Sequence, residues 1–221
     1  GDGTVGSPGN TPYVITIGAV TDSWTPATRA DDYVPDFSSR GPTEPGQIQP
    51  DLVALGGHMT GLINPESAMA EEQPEDVLRS GQFVSTGSSQ AAAFATGVVA
   101  LLLQLEPDLT PDDIKCKLTS SAEPAINRDG RLAYSPFQQG YGYLNPLRAI
   151  TLGERGCGNA GWDIAKEFTG GGQYEGPALR AEDGSATLPG MADYVAVEPS
   201  EQGRSDNRVW GVKAHIERLD S

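Results

Sequence analysis

The sequence is short of positive charge. Four lysines and eleven arginines face 30 acidic residues, and the formal net charge is −15. Phosphate backbones are bound by basic patches, so this balance argues against a nucleic-acid partner. Long hydrophobic runs are scarce too. The longest, around Ala91–Leu103, is broken by Thr96 and falls short of the roughly 20 residues that span a bilayer. It reads as a buried helix, and no membrane partner is expected. Cysteine occurs only at 116 and 157. One disulfide can form, but sequence alone does not choose between a bridge and two free buried thiols. Nothing resembles a secretory signal, and the chain starts at Gly1 rather than Met. A processed or truncated start is therefore the expectation, and the missing signal says nothing about secretion.

Glycine and proline are abundant, at 28 and 17 of 221 residues, beside 37% apolar residues. That is a loop-rich globular composition, sized for one domain with an appendage. "YVITIGAV", Tyr13–Val20, is nearly continuous in apolar residues and predicts a buried parallel strand. Short strands are expected at Val34–Phe37 and Leu52–Ala54, and an exposed acidic loop with room for one helical turn at Gly61–Ser80. Strand Phe83–Ser85 and turn Thr86–Ser88 then lead into a helix over Ser89–Leu105. Thr110 has the character of an N-cap, with Pro111 at the first helical position and acidic residues in the first turn. "GYGYLNPLRAI", Gly140–Ile150, predicts a Gly-bracketed strand or turn running into a last short helix. Residues 153–221 change character: they are Gly-rich, then alternate like strands, and predict a small β-rich appendage.

"GSSQAAAFATG" raises a chemical question, because two hydroxyls stand at the mouth of a greasy helix. One reading is a helix cap, a common role for serine. The other is a nucleophile. A helix start offers unpaired N–H groups and a positive dipole end to an oxyanion. The motif alone favours the cap.

Its neighbours change the balance. The stretch resembles the nucleophile motif of the subtilisin-like serine proteases, Gly-Thr-Ser-Met-Ala-x-Pro followed by a glycine. The match puts Ser89 on the nucleophile and Gly97 on the later glycine. "SPGNTPYVITIGAV" resembles the family's substrate-pocket loop and following strand. "FSSRGPTEPGQIQPDLVALG" and "GYGYLNPLRAI" resemble its Phe-Ser-Ser-Arg-Gly-Pro…Pro-Asp-Leu-Val-Ala-Pro-Gly and closing segments. The four occur in the family's order and cover about residues 3–150. There are departures: Ser88 replaces Thr, Gln90 Met, Ala93 Pro and Leu55 Pro, and Phe94 stands where His is common. None removes the nucleophile, but they are the marks of a divergent member.

The resemblance implies a three-layer α/β/α fold with a mostly parallel sheet. Residues 1–152 would be the C-terminal part of the peptidase domain and 153–221 an extension. It implies a serine endopeptidase acting on peptides or proteins, with an extracellular location. Ser89 would attack; Gly6, Ser7, Pro8 and Ser88 would contact substrate. The family's catalytic Asp and His, and its oxyanion Asn, lie upstream of everything here, so an upstream segment of the same protease is an expected partner. Neither His58 nor His215 sits in a catalytic motif, and packing or surface roles are expected for both. No cofactor is needed for this chemistry. Many members bind calcium, but the acidic loops lack EF-hand-like spacing, and solvated charge is favoured over structural calcium. A catalytically inactive scaffold that binds peptides, or an appendage that binds a partner, remain the alternatives.

Overall fold

The computed structural model describes residues 3–195 except 28, 30, 31, 128, 129, 171–174, 184 and 192. Strands β1 (Ile17–Val20) and β2 (Leu52–Leu55) pair in parallel, with Ile17 opposite Leu52 and Val20 opposite Leu55. Tyr143 adds a parallel bridge on the far side of β2, where Val53 N–H donates to Gly142 and Leu144 N–H donates to Val53. An antiparallel hairpin follows, β3 (Met59–Leu62) with β4 (Gln82–Ser85). Its tip carries the short helix α1 (Ala68–Glu72) and a 3-10 turn at Pro74–Asp76. Helix α2 runs from Ser88 to Leu105, and α3 from Pro111 to Ser121. Two short helices, α4 (Pro136–Gln139) and α5 (Pro146–Thr151), complete the body. The architecture is α/β.

Burial explains the arrangement. Ala91, Ala95, Val98 and Leu102 recur at helical spacing and put one face of α2 against β1 and β2. They join Ala19, Leu52, Ala54, Leu118, Leu144 and Ala149 in one core. The other side of α2 is exposed at Ala92, Ala93, Thr96, Gly97, Ala100, Leu101 and Leu105. This 18-residue helix is long and apolar enough, by length and composition alone, to cross a membrane. That corrects the run-length expectation, although its contacts with the sheet are those of a core helix.

Three local expectations also shift. The first strand starts at Ile17 rather than Tyr13, because the Pro12 and Val14 carbonyls accept from the buried Lys115 ammonium and take no part in the β1–β2 register. Val34–Phe37 is not a strand; a single bridge joins Tyr33 to Thr21. The helix begins one residue earlier than expected, at Ser88.

The C-terminal segment is fastened to the body. Cys116 and Cys157 form a disulfide. Asp113 accepts from Gly156 N–H, and Asp112 accepts from the Asn159 amide. Further on, Gly176 and Ala178 donate to Pro45 and Gly46, and Arg180 donates to the Pro42 and Thr43 carbonyls. Described elements there are α6 (Ile164–Phe168) and the two-residue strands β5 (Leu179–Arg180) and β6 (Ala186–Thr187). The alternating "RVWGVKAHIERLD" and His215 lie outside the described residues.

Candidate active site

Hairpin strand β4 delivers residues 86–89 to the C-terminal end of β2. Gly87 N–H donates to the Gly56 carbonyl at 2.8 Å, and Gly56 N–H to Val20 at 2.9 Å. The ends of β1 and β2 thus hold the turn that opens α2. The approach is close. A Cβ on Gly56 would come within 2.6 Å of the Gly87 carbonyl oxygen, and one on Gly57 within 2.3 Å of Thr21 Oγ1. Small residues at 56 and 57 are what this junction requires.

The N-cap of α2 is Gly87, with no side-chain hydrogen bond to the cap. Ser88 and Ser89 therefore sit inside the first turn, where their N–H groups have no intrahelical acceptor. Both serines are exposed, and neither hydroxyl has a hydrogen-bond partner among the described residues. Capping, the bland reading of the motif, is not what these hydroxyls do. Elsewhere in the chain serine and threonine do cap: Ser67 accepts from Ala70 N–H and Thr110 from Asp113 N–H. The Gln90 carboxamide folds back over Gly87, in the space a side chain at 87 would need.

The other expected site residues are placed less directly. Gly6, Ser7 and Pro8 form a turn closed by Asn10 N–H on the Gly6 carbonyl. The loop continues to Gly9, whose carbonyl accepts from Thr16 Oγ1 just before β1. No described hydrogen bond joins it to Ser88 or Ser89. His58 lies two residues beyond Gly56, and its N–H donates to Thr86 Oγ1 at 2.9 Å. Its ring stacks on Trp24, with centroids 4.0 Å apart and planes 22° apart. This contact went unread in the sequence. The glycine pair just before His58 was its one local signal.

Titratable groups with clear shifts lie away from Ser89. Burial raises the Asp51 carboxyl, with Lys115 and Thr16 N–H pulling it partly back. A cleft of about 510 Å³, lined in part by Gln49, Asp51, Lys115, Tyr141 and Trp162, lies at the N-terminal end of β2, the opposite end from the α2 turn. Among the described residues no three His, Cys, Asp or Glu side chains converge as a metal site.

Comparison with known proteins supplies the family. The subtilase family model matches residues 1–142. The chain is similar to the serine protease AprX of Bacillus subtilis, 43% identical over 126 residues, which is 57% of this chain and 28% of that protein. Bacillopeptidase F of Bacillus subtilis is 28% identical over 183 residues, covering 82% of this chain and 11% of that protein. A match of that length runs well beyond residue 142. The solved structure of the Clostridium perfringens CspB protease superposes with a TM-score of 0.52 at 26% identity, over 68% of this chain and 29% of that one. The chain thus spans less than a third of the length of each of these relatives. With four ordered motifs and a family match over most of its length, this chain belongs to the subtilase family.

Proposed function

We propose that residues 1–221 carry the nucleophile and part of the substrate site of a serine endopeptidase. The observation that carries this reading is the Ser89 hydroxyl: exposed, unbonded, in the first turn of a helix that glycine caps. Ser89 Oγ attacks the substrate carbonyl carbon while a histidine outside residues 1–221 takes its proton. An aspartate, also outside, orients that histidine. The oxyanion accepts from Ser89 N–H and from an asparagine outside this sequence. Collapse expels the amine, which receives the proton from histidine. Water then attacks the acyl-enzyme and releases the acid.

The upstream segment has a second task in this reading. It covers the exposed side of α2, where Ala92, Ala93, Gly97 and Ala100 allow close approach. Gly6, Ser7 and Pro8 contribute to the pocket for the residue before the scissile bond, and the small Ser7 leaves room for a bulky apolar side chain. The Cys116–Cys157 bridge supports an oxidising, extracellular compartment.

The test uses the full-length gene product with a fluorophosphonate probe and peptide substrates. Ser89→Ala should lose labelling and about 10⁶-fold in kcat, while Ser88→Ala keeps labelling. Ser7→Asp should shift preference toward basic residues before the cleaved bond. Wild-type protein that never labels would instead identify a non-catalytic peptide-binding scaffold.

A further inference from the structure

Three non-glycine residues among those described have left-handed backbones: Ser23, Trp24 and His58, at φ +50°, +66° and +56°. They are not scattered. Trp24 and His58 stack face to face at 4.0 Å, and Ser23 adjoins Trp24. Such backbones are costly, and for a bulky tryptophan the conformation is a genuine outlier. They persist where surrounding structure over-determines them, commonly beside functional sites.

The surroundings here do so from several sides. Thr21, fully buried, bridges backbone to backbone with Tyr33. Its Oγ1 lies 3.4 Å from His58 Nδ1 and accepts from Ser23 N–H. Asp22 Oδ1 accepts from Trp24 N–H at 3.1 Å. On the other side, His58 N–H donates to Thr86 Oγ1. Thr86 stands immediately before Gly87, whose own N–H is held by Gly56. The corner after β2 therefore holds the turn leading to Ser89 through the His58 backbone N–H, and the stacked pair of rings ties that corner to the loop after β1.

We propose that His58 is a positioning residue: stacked on Trp24, it clamps Thr86 and sets the placement of Ser89 for attack. This rests on the reading of Ser89 as nucleophile. The strained backbone is tolerated because the clamp requires both rings at that spot. His58 touches no reacting atom in this account and exchanges no proton with substrate. Misplacing a nucleophile by about 1 Å costs on the order of 100-fold, so a loosened clamp should reduce turnover far more than substrate binding.

The experiment measures kcat and KM per titrated active site in the full-length protease, with thermal unfolding alongside. His58→Gly keeps the left-handed backbone at no steric cost and deletes the ring. His58→Asn also tolerates that backbone, in case the glycine variant folds poorly. Either should lower kcat roughly 10- to 100-fold, with KM changed little. Trp24→Phe keeps a stacking ring and should recover most of the rate, whereas Trp24→Gly should resemble His58→Gly. If His58→Gly and His58→Asn only lower the unfolding temperature and leave kcat per site unchanged, the clamp is overturned and His58 is a packing residue. Ser89→Ala run in parallel separates the two ideas. An inactive Ser89→Ala with normal His58 variants overturns the clamp alone; an active Ser89→Ala overturns both.

Discussion

Lys115 brings a charge into the interior at the N-terminal end of β2. Its ammonium donates to the Pro12 and Val14 carbonyls at 2.7 and 2.8 Å and pairs with Asp51 at 3.0 Å. Asp51 in turn accepts from Thr16 N–H. Both side chains of the ion pair are less than a tenth exposed. Lys115→Met would leave two carbonyls without their donor and the buried carboxylate with only Thr16 N–H. The expected loss is about 3–5 kcal/mol in urea unfolding. The pH dependence has a definite sign. Burial holds the Asp51 carboxyl above its ordinary 3.8, so the folded chain binds that proton more tightly than the unfolded chain. Stability from this group is fully present below pH 3.8 and declines as pH rises through the raised value. Removing Lys115 should push the carboxyl further up, making Lys115→Met more damaging at pH 7 than at pH 4. Equal loss at both would show that Asp51 does not depend on Lys115.

At the scale of an element, α3 shows how a short helix of modest propensity is secured. Thr110 accepts from Asp113 N–H while Asp113 accepts from Thr110 N–H, a reciprocal capping box, and Pro111 sits at the first helical position. The same Asp113 holds Gly156 N–H, so one carboxylate serves both helix and C-terminal segment. Thr110→Ala should cost about 1 kcal/mol. The bonds from Thr110, backbone first, hold the Asp113 carboxyl below its ordinary 3.8. Its stabilisation is therefore complete above that value and is lost as pH falls through the lower folded one. In an acid titration followed by circular dichroism, Thr110→Ala should lose helix at a higher pH than the wild type. An unmoved midpoint would assign the acid transition to other carboxylates.

For the molecule as a whole, α2 is covered on one face, by the β1–β2 sheet and α5, and among the described residues its other face is open. The sheet covers Ala91, Ala95, Val98 and Leu102, whereas Leu101 and Leu105 are 52% and 60% exposed. Exposed apolar area of this kind marks an interaction surface. Residues 1–221 alone should bind a hydrophobic dye and unfold over a broad temperature range. Addition of the proposed upstream segment should suppress the dye and sharpen the transition. A sharp transition without dye binding in the monomeric chain would mean that the surface is satisfied without it.

Much of this molecule could be read in advance where the physics is local. The Thr110-Pro111 helix start, the α2 turn, the Leu52 strand and the late helix at Pro146 each depend on residues within a few positions. Such steric and hydrogen-bonding preferences act before any tertiary contact forms. The order of four motifs also carried the family. The disulfide is not legible in the sequence because pairing Cys116 with Cys157 requires α3 and the later segment to meet. The late start of β1 is not legible in the sequence because the ammonium that takes the Pro12 and Val14 carbonyls is on Lys115, a hundred residues away. Beyond the glycine pair before it, His58 carries no signal of its contact, since its partners come from the ends of two different strands. By itself, the sequence determined most of the helices, the Leu52 and Phe83 strands, the family's motifs and the candidate nucleophile, but not β3 or the start of β1. Only tertiary packing decided which charges are buried, that glycine and not serine caps α2, and that His58 stacks on Trp24 beside the turn to Ser89, because those outcomes depend on distant segments competing for the same small interior.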